Sequence, residues 1–329
     1  MMILVLGGAG YIGSHAVKML IENGESVVVV DNLETGHLGS VNENALFHQV
    51  DIRNEEALAA VFKAHEIEAV MHFSANSLVG ESCENPLKYF ENNVYGANVL
   101  LKVMRDYNVK KIIFSSTAAV YGEPQIVPIT EANETLPTNP YGESKLMMEK
   151  MFKWADIAHG IKFVSLRYFN VAGADKSGDI GEAHTVETHL IPLVLQVPLG
   201  KREAISIYGD DYPTKDGTCI RDYIHVIDLV HAHLLALNYL RAGHESNIFN
   251  LGSGEGFSVK EVIEVAMEVT GKPIKTIIAP RRTGDPSVLI ASPDKAKTIL
   301  KWAPKHTNVR EIIEDAWRFH VSKPNGYPK

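Results

Sequence analysis

A doubly wound α/β fold around a parallel sheet is predicted for this chain by three observations. Short, continuous, β-branched apolar runs alternate with stretches of helical periodicity. A glycine-rich turn joins the first run to the first helix. An acidic residue closes the second run. Continuous apolar runs indicate strands buried on both faces, as parallel sheets require. Such runs stand at 3–6 (ILVL), 27–30 (VVVV), 69–73 (AVMHF), 111–116 (KIIFSS) and 163–168 (FVSLRY). Between the first two, Ile12, Ala16, Met19 and Leu20 recur at helical spacing, and Gly24 follows the end of the pattern. Leu58, Val61, Phe62 and His65 repeat that spacing before the third run. Further helices are expected over 86–107 and 141–157, the second capped by Asn139 with Pro140 in its first position. Ahead of it, 122–140 carries Pro124, Pro128, Pro137 and Pro140 without periodicity, and a loop this long is usually functional or disordered. Past 172 the chain becomes Gly-, Asp- and Pro-rich as far as about 222. Val262, Val265, Ala266 and Val269, then Val309, Ile312, Ile313 and Ala316, predict two later amphipathic helices. The expected organisation is a Rossmann-like domain over 1–172, to which about 224–262 returns, and a smaller C-terminal α/β domain over 173–329.

Composition narrows the classes. At 329 residues the chain is long enough for two domains or one large one, and 45% hydrophobic residues supply a core. A net charge of −8 and a pI near 6.0 argue against a nucleic-acid surface, so an anionic ligand would have to be met by local arginines. Cys83 and Cys219 are far apart and lack metal spacing, which fits a reducing compartment. The start, MMILVLGG, has no basic segment ahead of its apolar run, and no run approaches the roughly 18 residues of a membrane span. A soluble cytoplasmic protein with no membrane partner is expected. The fourteen histidines, among them His184, His189, His231 and His233, show no H-E-x-x-H spacing, so no metal site is predicted.

GGAGYIGS, at the end of the first run, carries Gly7, Gly10 and Gly13 as G-x-x-G-x-x-G around Tyr11 and Ile12. Glycines there allow a tight turn, close approach of backbone to a diphosphate, and close helix–strand packing. The helix start adds unpaired N–H groups and a positive dipole end. Asp31 closes the second run about 20 positions on, where a carboxylate accepts hydrogen bonds from an adenine ribose. Its charge would repel a 2′-phosphate, so NAD is the expected cofactor rather than NADP. The alternative is a glycine-rich turn with no ligand. The absence of G-x-x-x-x-G-K-[ST] leaves phosphoryl transfer without support.

KIIFSSTAAVYG runs off the carboxyl end of a predicted strand with Ser115, Ser116 and Thr117. Ser115 and Ser116 could simply be hydrogen bonders in the core. In NPYGESK, Tyr141 and Lys145 lie one helical turn apart on one face. An alcohol that gives a hydride to nicotinamide must also lose its hydroxyl proton. A phenolate can take that proton, but free tyrosine has a pKa of about 10. A lysine ammonium and a nicotinamide cation would both favour the phenolate. Lowering the pKa by about three units needs roughly 4 kcal/mol.

This order of glycine loop, hydroxyl on a strand end and Tyr-x-x-x-Lys resembles the extended short-chain dehydrogenase/reductase family. Downstream, RYFNVAGA (167–174), DGTCIRDYIHV (216–226), FNLGSG (249–254) and RRTGDP (281–286) are together similar to its nucleotide-sugar 4-epimerases. The likeness runs from GGAGYIGSH to the terminal GYP. It implies reversible NAD-dependent epimerisation at C4 of UDP-galactose and UDP-glucose through a 4-keto sugar, in a homodimer. By similarity Tyr141 is the catalytic base, Lys145 holds the nicotinamide ribose, and Thr117 shares the substrate proton. Asp31 and Asn32 would bind the adenosine ribose, Asp51 and Ile52 would flank adenine, and Phe73, Ser74, Ala75, Asn92 and Ser115 would follow the dinucleotide. Tyr168 would pack on the nicotinamide. Asn170, His189, Leu190, Arg221 and Arg282 would hold the substrate diphosphate, Tyr208 would stack near uracil, and Asp285 would bind the uridine ribose. Leu289 would face the 2-substituent of the sugar.

Each of these has a plainer reading. The two arginines could be surface ion pairs, Phe73 and Tyr168 core aromatics, Asp51 a helix cap and Asn170 a turn residue. Three positions also depart from the family pattern. Thr117 stands for a common serine, Ser77 for a lysine of some relatives, and His189 for a common asparagine. A 4,6-dehydratase needs an acid and a base beside the threonine, where this chain has Ala118 and Ala119. A net oxidoreductase and a non-catalytic dinucleotide sensor are further alternatives.

Overall fold

The structure, a computed structural model, describes residues 1–282 and 285–328. Thr283 and Gly284 of the RRTGDP motif lie outside the described residues. The chain starts as β1 (Met2–Leu6), α1 (Tyr11–Glu22), β2 (Val27–Asp31), β3 (Leu46–Gln49), α2 (Glu55–Ala64) and β4 (Ile67–His72). It continues through α3 (Val79–Glu84), α4 (Pro86–Tyr89), a π-helical stretch (Phe90–Tyr95), α5 (Gly96–Asp106), β5 (Lys111–Thr117), α6 (Pro140–His159) and β6 (Lys162–Tyr168). Shorter elements follow: β7 (Asn170–Ala172), α7 (Leu190–Gln196), β8 (Ile205–Tyr208), β9 (Ile220–Arg221) and β10 (Tyr223–His225). Then come α8 (Val226–Arg241), β11 (Asn247–Leu251), β12 (Phe257–Ser258), α9 (Val259–Thr270), β13 (Thr276–Ala279), β14 (Val288–Leu289) and α10 (Val309–Ser322).

Seven parallel strands in the order β11-β6-β5-β4-β1-β2-β3 form the central sheet. The direction of winding reverses between β1 and β4, and Leu6 registers against His72 at that point. Ligands of open α/β sheets bind outside the carboxyl ends at such a reversal. Val27–Asp31 is buried along its whole length, as a doubly covered strand demands. Each fully buried Val, Leu or Ile of this kind contributes about 1.5–3 kcal/mol.

Two sheet strands are absent from the apolar runs. Leu46–Gln49 is a ragged edge strand, half exposed, with His48 and Gln49 in it. Asn247–Leu251 is the opposite edge and carries two asparagines. An edge strand is covered on fewer sides and does not need a continuous apolar run.

A large apolar cluster joins β1, β2 and α1 to α8, β11 and a later stretch that includes Ala296, Leu300 and Trp302. A separate cluster holds Ile191, Val194, Ile205, Ile207, Val262, Ile263, Ile312 and Ile313, from α7, β8, α9 and α10. The open face between these two packed bodies is where the carboxyl ends of the sheet lead.

Candidate active site

The glycine loop is shaped by close backbone contacts. Gly7 has φ +77, and a Cβ built there would lie 2.6 Å from the Ser74 backbone nitrogen, beyond the end of β4. A Cβ at Gly13 would lie 2.0 Å from the Gly7 carbonyl oxygen, so α1 can start this close to the loop only with glycine there. Gly10 caps α1 without a side-chain hydrogen bond, which leaves the first N–H groups of the helix to face the cavity. Asp31 accepts hydrogen bonds from the Ala9 N–H at 3.0 Å and the Leu33 N–H at 2.8 Å. Burial nevertheless pushes its carboxyl above the ordinary range.

A cavity of about 1200 Å³ runs from this loop across the sheet ends. Gly7, Gly10, Tyr11, Ile12, Gly13, Asp31, Asn32, Ile52, Phe73, Ser74, Ala75 and Asn92 line its first part. Thr117, Tyr141, Lys145, Tyr168 and Asn170 line its middle, and His189, Leu190, Tyr208, Arg221, Arg282, Asp285 and Leu289 line the far end. Two residues predicted for the site do not line it. Asp51 is held in a fork by Arg53, at 2.9 and 2.6 Å, with Asn32 donating at 3.3 Å. Those hydrogen bonds pull its carboxyl down to about 2. Ser115 is buried, with its hydroxyl 2.8 Å from His233 Nε2.

The reacting groups sit where α6 meets the end of β5. Asn139 caps α6 by accepting from the Gly142 N–H at 2.9 Å, and Pro140 occupies the first turn. A Cβ at Gly142 would stand 2.5 Å from the Ala119 carbonyl oxygen, so glycine lets the helix approach the turn after Thr117. The Lys145 ammonium donates to the Ser115 carbonyl at 2.8 Å and lies 6.0 Å from the centroid of the Tyr141 ring.

Burial raises the pKa of the Tyr141 hydroxyl, and a hydrogen bond with Thr117 only partly offsets this. Sequence reasoning expected Lys145 to lower it. In the structure Lys145 is itself buried, and the cost of burying its charge brings its pKa down to about 7, against the pull of Glu149. Behind this pair, Glu149 takes a fork from Arg167 at 2.9 and 2.6 Å and the Ser116 hydroxyl at 2.6 Å.

At the far end the Arg282 guanidinium lies over the Tyr208 ring, 4.0 Å from its centroid. Arg221 and Asp285 form an ion pair with each other, and Arg221 also donates to the Ile220 carbonyl at 2.8 Å. β14 lies parallel to β9 and sets Leu289 beside Arg221. His189 Nδ1 is bonded to Glu182, and His184 Nδ1 lies 3.3 Å from Glu182 and 3.4 Å from Glu187. Glu182 and Glu187 were not expected at the site, and His184 was expected to hold no metal; the available signal is the spacing E-x-H-x-x-E-x-H, which is not helical. His233, expected only to hold no metal, packs its ring on Phe73 at 4.8 Å.

A doubly wound sheet with a glycine cradle at its winding reversal, and a buried Tyr–Lys pair against a strand-end hydroxyl, defines a dinucleotide-dependent enzyme acting on an alcohol carbon. Residues 3–252 match the model of the NAD dependent epimerase/dehydratase family, and the chain belongs to that family. It is 58% identical over 327 residues to UDP-glucose 4-epimerase of Halalkalibacterium halodurans, covering 99% of this chain and 98% of that one. A crystal structure of a UDP-glucose 4-epimerase superposes with a TM-score of 0.99 at 58% identity, covering 100% of both chains. The Bifidobacterium longum UDP-glucose 4-epimerase, solved with NAD+ and UDP, superposes with a TM-score of 0.94 at 38% identity, over 99% of this chain and 100% of that chain. Among the described residues, no helix is long and apolar enough to cross a membrane.

Proposed function

We propose that this protein interconverts UDP-galactose and UDP-glucose by epimerisation at C4, as a cytoplasmic enzyme. The observation that carries the reading is the single cavity joining the glycine loop, the Thr117–Tyr141–Lys145 group and the paired arginines. The residues fit NAD. Gly7, Gly10 and Gly13 leave room for a diphosphate, the start of α1 offers unpaired N–H groups, and Asp31 stands at the end of β2 to receive the adenine ribose. Ile52 and Asn32 line the adenine side, while Phe73, Ser74, Ala75 and Asn92 line the path between. When bound, NAD supplies the group that takes a hydride from C4 and returns it.

Tyr141 takes the proton of the 4-hydroxyl, with Thr117 sharing it. Burial raises the pKa of the phenol, and a positive charge beside it would favour the phenolate that acts as base. Lys145, held by the Ser115 carbonyl, is positioned for the nicotinamide ribose. Tyr168 walls the same space. Arg282 on Tyr208, Arg221 with Asp285, and His189, Leu190 and Asn170 are assigned to the UDP handle. A tightly held handle and a loosely held sugar would let the 4-keto sugar turn over and present its opposite face to the returning hydride, while Tyr141 would give the proton back to the C4 oxygen.

We infer some turnover of UDP-N-acetylhexosamines as well, because Leu289 lines the cavity at the position that by similarity faces the sugar's 2-substituent, where a tyrosine tends to exclude N-acetyl groups and leucine is smaller. Turnover of UDP-galactose with none of UDP-N-acetylgalactosamine at saturation would refute that addition. Leu87, Tyr95, Met147, Trp154 and Ile157 are exposed on the neighbouring helical segments 86–95 and 140–159, which supports a homodimer. Light scattering that finds a monomer would remove this part of the reading.

The deciding experiment is incubation of the purified protein with UDP-galactose, without added cofactor. UDP-glucose should accumulate to an equilibrium mixture without net NADH. NADH formed in proportion to turnover would indicate an oxidoreductase instead.

A further inference from the structure

We propose that Glu182, His184, Glu187 and His189 form a binding site for a zinc-class divalent cation in the cavity wall. All four lie on the irregular segment between β7 and α7, and each can offer one ligand atom with all four within 4.8 Å of one another. His184 Nδ1 lies 3.3 Å from Glu182 Oε1 and 3.4 Å from Glu187 Oε2, and His189 Nδ1 lies 3.6 Å from Glu187 Oε1. Tetrahedral zinc with bonds of about 2.0–2.1 Å places its ligands about 3.3–3.4 Å apart. The His189–Glu182 contact is closer than this and has to open for an ion to enter.

Charge balance permits the exchange. The side chains of Glu182 and Glu187 are 3% and 8% exposed, and two neighbouring carboxylates are rarely buried without compensation. Among the described residues no lysine or arginine pairs with either, and the two imidazoles are their partners. Against the cost of burial, Glu182 and Glu187 hold the His184 pKa up at about 10 and raise that of His189, so without an ion the two imidazolium groups balance the two carboxylates; a divalent ion entering would displace those two protons and keep the cluster neutral. Imidazole with carboxylate oxygen favours zinc and cobalt over magnesium or calcium. Coordination through Nδ1 leaves the proton of His189 on Nε2, so the cavity wall gains an N–H of fixed tautomer. The ion would also clasp a loop packed beside the cofactor cradle: His184 meets the Tyr11 ring edge-on at 6.4 Å.

The test uses the full-length protein with its NAD, treated with chelator and titrated with Co2+ alone. The expected result is one Co2+ per chain with the intense visible absorption of a tetrahedral site, displaced by Zn2+. His184→Ala and Glu182→Gln should each weaken binding beyond the roughly 10–100-fold typical of groups outside the coordination shell. His244→Ala, remote from the cluster, should not. Zinc-edge absorption on the wild type, which needs no variant to fold, should show imidazole and carboxylate ligands. No stoichiometric uptake, a six-coordinate or sulfur-containing shell, or binding unchanged in both variants overturns the proposal and leaves the cluster as a histidine–carboxylate ion pair.

Discussion

The two ends of the cavity are built differently. The glycine-loop end is made of backbone: three glycines, an uncapped helix start and the reversal between β1 and β4. The arginine end is made of side chains on two-residue strands and loops, arranged as ion pairs and a cation–ring stack. Backbone recognition depends on steric room that any Cβ removes. Side-chain recognition depends on charges that can be deleted one at a time. Substitutions at the first end should therefore act in an all-or-none manner, and those at the second end in a graded one.

The largest effect is expected for Gly13→Ala. Its new Cβ meets the Gly7 carbonyl at 2.0 Å, so the loop must move. The purified variant should contain essentially no NAD and show no turnover; full NAD content would break the contrast. Next is Tyr141→Phe, between the two ends. It should lower kcat by about 10²–10⁴-fold, the range for a positioned acid–base, while NAD content stays normal. Arg221→Ala should raise KM for UDP-galactose by about 10–100-fold, from loss of hydrogen bonds to a charged group worth about 1.5–3 kcal/mol. A fall in NAD content would blur the division between the ends.

The smallest effect concerns Asp51, whose carboxyl is held at about 2 by Arg53, below its usual 3.8. A depressed carboxyl stabilises the fold above its unfolded pKa, and this is lost as pH falls from about 3.8 through about 2. Arg53→Ala should therefore raise the pH of acid unfolding slightly, by ~1 kcal/mol of stability or less because the pair is partly exposed. An unchanged acid midpoint would show that the fork adds nothing.

The same contrast explains what could be read from the sequence. Interior strands such as Val27–Asp31 declare themselves because both faces are buried. The glycine loop and Tyr141–Lys145 declare themselves because their chemistry is local in the chain. Leu46–Gln49 and Asn247–Leu251 were not legible as strands, being edges with polar residues. The pairing of Arg221 with Asp285 joins residues 64 apart, and no local pattern encodes it. The raised Tyr141 pKa was missed because burial is a tertiary property, and here it outweighs the hydrogen bond with Thr117. His189 was legible as a site residue, but its grouping with Glu182, His184 and Glu187 was not, because their loop follows neither helical nor strand periodicity.

The edge strand β11 bears on modularity. The chain leaves the central sheet after β6, contributes β7 through β10 elsewhere, and comes back through α8 to place β11 against β6. A fragment ending near residue 172 would leave β6 with an open hydrogen-bonding edge and strip α8 from the core beneath it. The two halves of this protein are therefore threaded through one another, like two rooms sharing a beam. Exchanging the part that carries α7, α9 and α10 for that of a relative would require grafting several discontinuous segments, since no single crossover point separates the two.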